Sequence, residues 1–168
     1  MAAFIGFVLE NFTLSFFVIG LVFAAVPLLV RRGTLTAGNI IEQLLRWFLF
    51  FSIGCSFLYN FVMHVFFAGM TAHFIGWANS PFQYEVGFAS LGFALVGFFA
   101  FRGGPGFRTA AVLGPAGFLW GAAGGHVYQM IAARNFSPGN AGVIFWTDIL
   151  IPFAGFVLLY LQRRSRPF

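Results

Sequence analysis

Apolar residues fall into five long runs, about 4–30, 47–71, 82–101, 110–132 and 142–161, and the segments around them carry all nine arginines. A helix needs about 20 apolar residues to cross the hydrocarbon core of a bilayer. The pattern therefore predicts an all-α, polytopic membrane helix bundle of five transmembrane helices. They form a single integral-membrane domain over residues 1–168. One connecting stretch, "TAGNIIEQLLRW", departs from uniform hydrophobicity. Ile40, Ile41, Leu44 and Leu45 repeat at helical spacing opposite Asn39, Glu42, Gln43 and Arg46. That predicts a short interfacial helix over about 36–46, with Glu42 and Arg46 paired at i,i+4.

Arginine placement gives the direction of threading. Arg31, Arg32, Arg46, Arg102, Arg108, Arg163, Arg164 and Arg166 fall on one side of the predicted membrane and only Arg134 on the other. Positive residues stay cytoplasmic, so the expected topology is N-terminus out and C-terminus in.

Composition agrees with lipid as the main solvent. Charged residues are 8% of the chain, against roughly 25% in soluble domains. The net charge of +5 is spread over run ends and not over one face, which is topology and not a nucleic-acid surface. Cys55 is the lone cysteine, which excludes an intrachain disulfide, a CxxC pair and a cysteine-only metal site. There is no lysine, so Schiff-base chemistry with retinal or pyridoxal phosphate has no anchor. The first run lacks a basic n-region and a small-residue cleavage site, and reads as a span instead of a removed signal.

The candidate chemistry gathers at the outer side. "SPFQ" at 80–83 and "SPGN" at 137–140 open the third and fifth spans, the first as a capping box from Ser80 to Gln83. Laying spans two and three over four and five aligns His64 with His126 and Glu85 with Asp148, separated by 21 and 22 residues. Such hairpins suggest a parallel repeat. At 1.5 Å per residue, both histidines lie about 25 Å above the inner ends of their spans. Glu10 reaches the same level, and His73 lies in the outer loop beside Trp77.

Ser52, Ser56, Asn60 and His64 recur every four residues, a polar stripe that should face the bundle interior, and His126, Gln129 and Met130 share a face of the fourth span. Below them Gly117, Gly121 and Gly125 predict a small-residue ridge for close helix packing. The ligand or proton candidates are therefore His64, Glu85, His126, Asp148, Asn60, Gln129, Glu10 and His73. Of these, His64, His126, Glu85 and Asp148 are also candidate ligands for a transition metal such as zinc, iron or copper.

Three uses of the cluster stand side by side. It binds a metal, a small ligand or a proton; it fastens helices in an accessory subunit of a larger membrane complex; or it serves a membrane enzyme, with proton or quinone chemistry, or a transporter. The glycine ridge favours a homo-oligomer or a larger assembly. Trp47, Trp77 and Trp146 read as interface belt residues, and "RGGPGFR" at 102–108 is a turn without the Lys-Ser/Thr of a phosphate loop.

The stretches "GWANSPFQYEVGFASLGFALVGF" and "GHVYQMIAARNFSPGNAGVIFWTDILIP" resemble small bacterial polytopic membrane proteins with no assigned activity. The resemblance covers most of the chain after residue 60. It implies a bacterial inner membrane location and carries over no catalytic residue.

Overall fold

The computed structural model describes residues 1–30 and 35–165. Arg31, Arg32 and Arg166 lie outside the described residues, which contain helices and no strand. In chain order these are α1 (Ala2–Glu10), α2 (Phe12–Val30), α3 (Ala37–Phe48), a π-helical stretch (Leu49–Cys55), α4 (Ser56–Phe66), α5 (Ala68–Ile75), α6 (Phe82–Ala100), α7 (Pro105–Ala132), α8 (Pro138–Ala141) and α9 (Val143–Ser165). Among the described residues four helical stretches are long and apolar enough to cross a membrane: Phe12–Val30, Ala37–Phe66, Phe82–Ala100 and Pro138–Ser165. The glycine-rich α7 is less hydrophobic than these, yet its 28 residues run the whole length of the bundle. Arg108 meets Glu42 at one end and His126 meets Asn140 at the other.

Three boundaries differ from the sequence pattern. The first run breaks at Asn11, whose backbone (φ −112°, ψ 39°) separates α1 from α2. The second run stops at Phe66, and α5 forms a separate short helix. The segment 36–46 is not an independent interfacial helix. Thr36 caps α3, its hydroxyl accepting from the Asn39 amide at 3.3 Å. From Ala37 the helix continues through the π stretch to Phe66. No proline interrupts residues 37–66, so the amphipathic turns propagate into the span that follows. Their apolar face packs on α2 and α9.

The bundle consists of two tight pairs. In one, α6 lies against α4 and the π stretch, and in the other α7 lies against α9. Glycine permits the closest approaches. A Cβ on Gly97 would sit 2.5 Å from the Gly54 nitrogen and 2.9 Å from the Leu49 carbonyl oxygen. One on Gly87 would meet Val65, and one on Gly155 would meet Val112 and Phe48. The pairs join at the Glu42 end, where Leu45, Phe48, Leu49, Ile53, Val112 and Leu159 form the buried core.

A polar knot closes the same end. Glu42 was expected to pair with Arg46 inside its own helix, and it reaches across the bundle instead. Arg108 donates to both its carboxylate oxygens at 2.7 Å, and Gln162 donates to one at 3.1 Å. Arg108 also donates to the carbonyls of Ala100 and Phe101, the C-terminal end of α6. The Arg46 guanidinium lies 4.0 Å over the Phe101 ring.

The expected packing ridge of Gly117, Gly121 and Gly125 touches no neighbouring helix. A Cβ at Gly117 or Gly121 would meet nothing within 4 Å, and one at Gly125 only the Trp77 ring at 3.9 Å. These glycines form the wall of a cavity, because the two helix pairs stand apart at that end.

Stability should separate the two kinds of glycine. Gly97→Ala forces a methyl group against backbone and should lose about 1–3 kcal/mol. Gly121→Ala should stay within about 0.5 kcal/mol of wild type. Thermal unfolding in detergent decides the matter, and equal melting temperatures for the two variants would contradict this packing.

Candidate functional site

The cavity holds about 940 Å³ at the histidine end of the bundle. Phe57 and Phe118, with ring centroids 5.8 Å apart, line it, and Phe93 packs behind both. One wall is the stripe Ser52, Ser56, Asn60 and His64, and α7 forms another with its glycines. Residues of α1, α2, α5, α6, α8 and α9, with Phe67 and Trp77, complete the lining. Every fourth residue of a helix returns to nearly the same face, which is why the stripe stays together through the π stretch.

His126 is the best-determined group here. The Asn140 side chain is fully buried and bonded on both sides. Its Nδ2 donates to the carbonyls of Asn135 (2.9 Å) and His126 (3.3 Å). Its Oδ1 accepts from Trp77 Nε1 at 3.1 Å and lies 2.8 Å from His126 Nδ1. An amide whose nitrogen is already engaged by two carbonyls must present its oxygen to the imidazole. His126 Nδ1 is therefore the donor, and Nε2 faces Asp148 Oδ2 at 3.6 Å. A further proton on the pair would lie between these two atoms. Asp148 is buried, and beside it the hydroxyls of Thr13 and Thr147 are 2.6 Å apart, tying α2 to α9.

His64 is held in a parallel manner. Its Nδ1 lies 2.5 Å from Gln83 Oε1, which leaves Nε2 as the free edge of a ring lining the cavity. Gln83 and Asn140 are each the fourth residue of a Ser-Pro-x-amide turn. The capping-box reading of "SPFQ" is thereby corrected, since the Gln83 side chain goes to His64 and α6 has no side-chain cap. The turns that begin α6 and α9 instead supply an amide to the histidine of the preceding long helix. The recurrence of Ser-Pro with an amide two residues after the proline is the signal in the sequence that marks them.

The other candidates separate. Asn60 lines the cavity and donates to Ser90 Oγ at 2.9 Å. Glu10 is exposed and stands on the cavity rim. Glu85 is exposed on the first turn of α6, two residues and about 200° from inward-facing Gln83. His73 is exposed, and neither it nor Gln129 lines the cavity. The His-to-acid match of the two hairpins thus holds in space for His126 and Asp148, while His64 takes an amide.

The proposed metal quartet is corrected on the same ground. Glu85 points away, and among the described residues no group of three or more His, Cys, Asp or Glu could hold a metal ion. Trp77, expected as a belt residue, is instead part of the site. Gly76 ends α5 in the left-handed region (φ 77°), a conformation suited to glycine. The turn brings the indole onto Asn140, its ring 5.7 Å from His126. Asn135 donates to the Ile75 carbonyl at 2.9 Å and clamps the two outer loops together.

The chain belongs to DUF6790, a family of unknown function whose model matches residues 10–168. No curated protein and no solved structure matches it.

The Asn140 network can be tested by deletion. Asn140→Leu strands the Trp77 and His126 donors and the Asn135 carbonyl, so at about 1 kcal/mol per bond it should lose about 2–4 kcal/mol. Gln83→Leu strands one imidazole edge and should lose about 1–2 kcal/mol. Unfolding in detergent gives the order. A Gln83 variant less stable than the Asn140 variant would show that the wrong amide had been given the central role.

Proposed function

We propose that this DUF6790 member is a five-span inner-membrane protein of bacteria that binds a small amphipathic molecule in a cavity open to the outer side. The observation that carries the reading is the cavity itself. It is about 940 Å³ and largely apolar, and two oriented imidazoles line it. A ligand site of this kind is concave and mostly apolar, with a few placed polar groups. Here those groups are His64 Nε2, the His126–Asp148 pair and the buried Ser52 hydroxyl, which has no hydrogen-bond partner. Helix fastening alone would be served better by filled space, because an internal void forfeits dispersion contacts along its lining.

The topology follows from charge and from the course of α7. Arg46, Arg108, Arg163 and Arg164, on α3, α7 and α9, and Arg102, in the turn after α6, belong to the Glu42 end. That end is cytoplasmic by the positive-inside rule, which leaves the cavity facing the periplasm. Taking α7 as a span joins the end of α6 to the start of α8 at the opposite surface.

Cysteines introduced at Ser80 and Ser137 should react with an impermeant maleimide added to intact cells, and one at Gly104 should not. Labelling at Gly104 alone would invert the orientation. The binding reading is tested by filling the cavity. Gly121→Leu should abolish retention of co-purifying small molecules, detected by mass spectrometry of the purified protein, while the fold survives. A variant that retains the same molecules at the same level would refute it.

A further inference from the structure

We propose that the occupant of the cavity is a lipophilic organic cation, and that it exchanges for the proton shared by His126 and Asp148. The proposal rests on the reading of the cavity as a small-molecule site and adds the charge of its ligand. Two of the chain's four acids, Glu10 and Asp148, line the cavity. Among the described residues, no arginine does, and the chain has no lysine.

That imbalance discriminates between ligands. A carboxylate or phosphate would bring a second negative charge next to a carboxyl whose side chain is 6% exposed, where screening by water is weak. A neutral molecule would leave the pair as it is. A cation is answered by Asp148, and the rings of Tyr59, Trp77, Phe57 and Phe118 on the same lining offer their faces to it. The polarizable thioethers of Met63 and Met70 add to this surface.

The exchange follows from the hydrogen bonds. With Nδ1–H committed to Asn140, the pair holds one additional proton between Nε2 and Oδ2 and is neutral overall. An arriving cation pairs with the ionised Asp148, His126 stays neutral with Nε2 as a lone pair, and the proton leaves to water. One positive charge enters and one departs. The groups that face this event are few. Glu10 comes from α1, and Tyr59 and His64 come from α4. The turn after α5 and α8 give only Trp77 and Asn140, α6 gives Gln83, and α2 gives Thr13. None of these brings a permanent positive charge.

The experiment measures binding of tetraphenylphosphonium to the purified full chain in detergent between about pH 5.5 and 8.5. Affinity should rise with pH by up to tenfold per unit while the pair still holds its proton, then level off. Calorimetry in buffers of different ionisation enthalpy should count about one proton released per probe bound. Asp148→Asn should bind at least tenfold more weakly with no pH dependence, and Asp148→Glu should restore the slope. If Asp148→Asn does not fold, the proton count on the wild type decides alone.

Decanoate and a short-chain quinone serve as anionic and neutral probes. If either binds and tetraphenylphosphonium does not, the cavity remains a ligand site and the charge assignment falls. Probe binding without proton release overturns the exchange. Failure of all three probes to bind overturns the small-molecule reading together with this one.

Discussion

Gly97 and Gly54 leave no room between them for a methyl group, and the division of the molecule into a solid half and a hollow half depends on that contact. It draws α6 onto the continuous helix from Ala37 to Phe66 so closely that the two behave as one wall. The π stretch lies at the point of contact, where it widens the helix and sets Ser52 and Ser56 on the same face as Asn60 and His64. Gly155 does the corresponding work against Val112 and Phe48, holding α7 and α9 to each other and to the core. With both pairs pinned near Glu42, their separation at the other end is free to hold a cavity.

Lipid imposes the second constraint. A polar side chain there finds no water to satisfy it, so its partner has to come from the protein. At the solid end the answer is an ion pair, Arg108 with Glu42, and the arginine caps the last carbonyls of α6 at the same time. At the hollow end the answers are amides. Gln83 and Asn140 each engage one nitrogen of a histidine, leaving the other edge of His64 toward the cavity and that of His126 toward Asp148. An amide fixes orientation without adding charge, which an ion pair cannot do. The carboxyl that faces a histidine there is Asp148, 3.6 Å from His126 Nε2.

Much of this was legible in the residues. Four of the five apolar runs lie in helical stretches long and apolar enough to cross a membrane, and the stripe from Ser52 to His64 lines the interior as its spacing required. Of the four groups expected to converge, the structure sets His126 Nε2 3.6 Å from Asp148 Oδ2. What misled was equivalence. Glu85 matches Asp148 in sequence separation from its histidine, yet separation along the chain carries no information about which side of a helix faces inward. Gln83, two residues earlier, has the right face, and its neutral amide carries no charge to mark it in the sequence. The reach of Glu42 to Arg108, 66 residues away, was equally invisible, since i,i+4 spacing offered a nearer partner in Arg46.

The glycines of α7 show why composition at a helix surface has two opposite meanings. Small residues every fourth position permit a neighbour to come close, and they equally leave volume when no neighbour comes. Which outcome holds depends on what the facing helix is already bound to. Here α4, the helix across from Gly117, Gly121 and Gly125, is held by α6 through Gly87 and through Asn60 and Ser90. The remaining partner, α9, is held on another side of α7 through Gly155 and Asp148. Both candidates for the ridge are committed elsewhere, so the absent side chains become space. The histidine that follows those glycines at position 126 therefore looks onto a cavity instead of a packed helix, and its partners are an amide of α8, an indole and a buried acid.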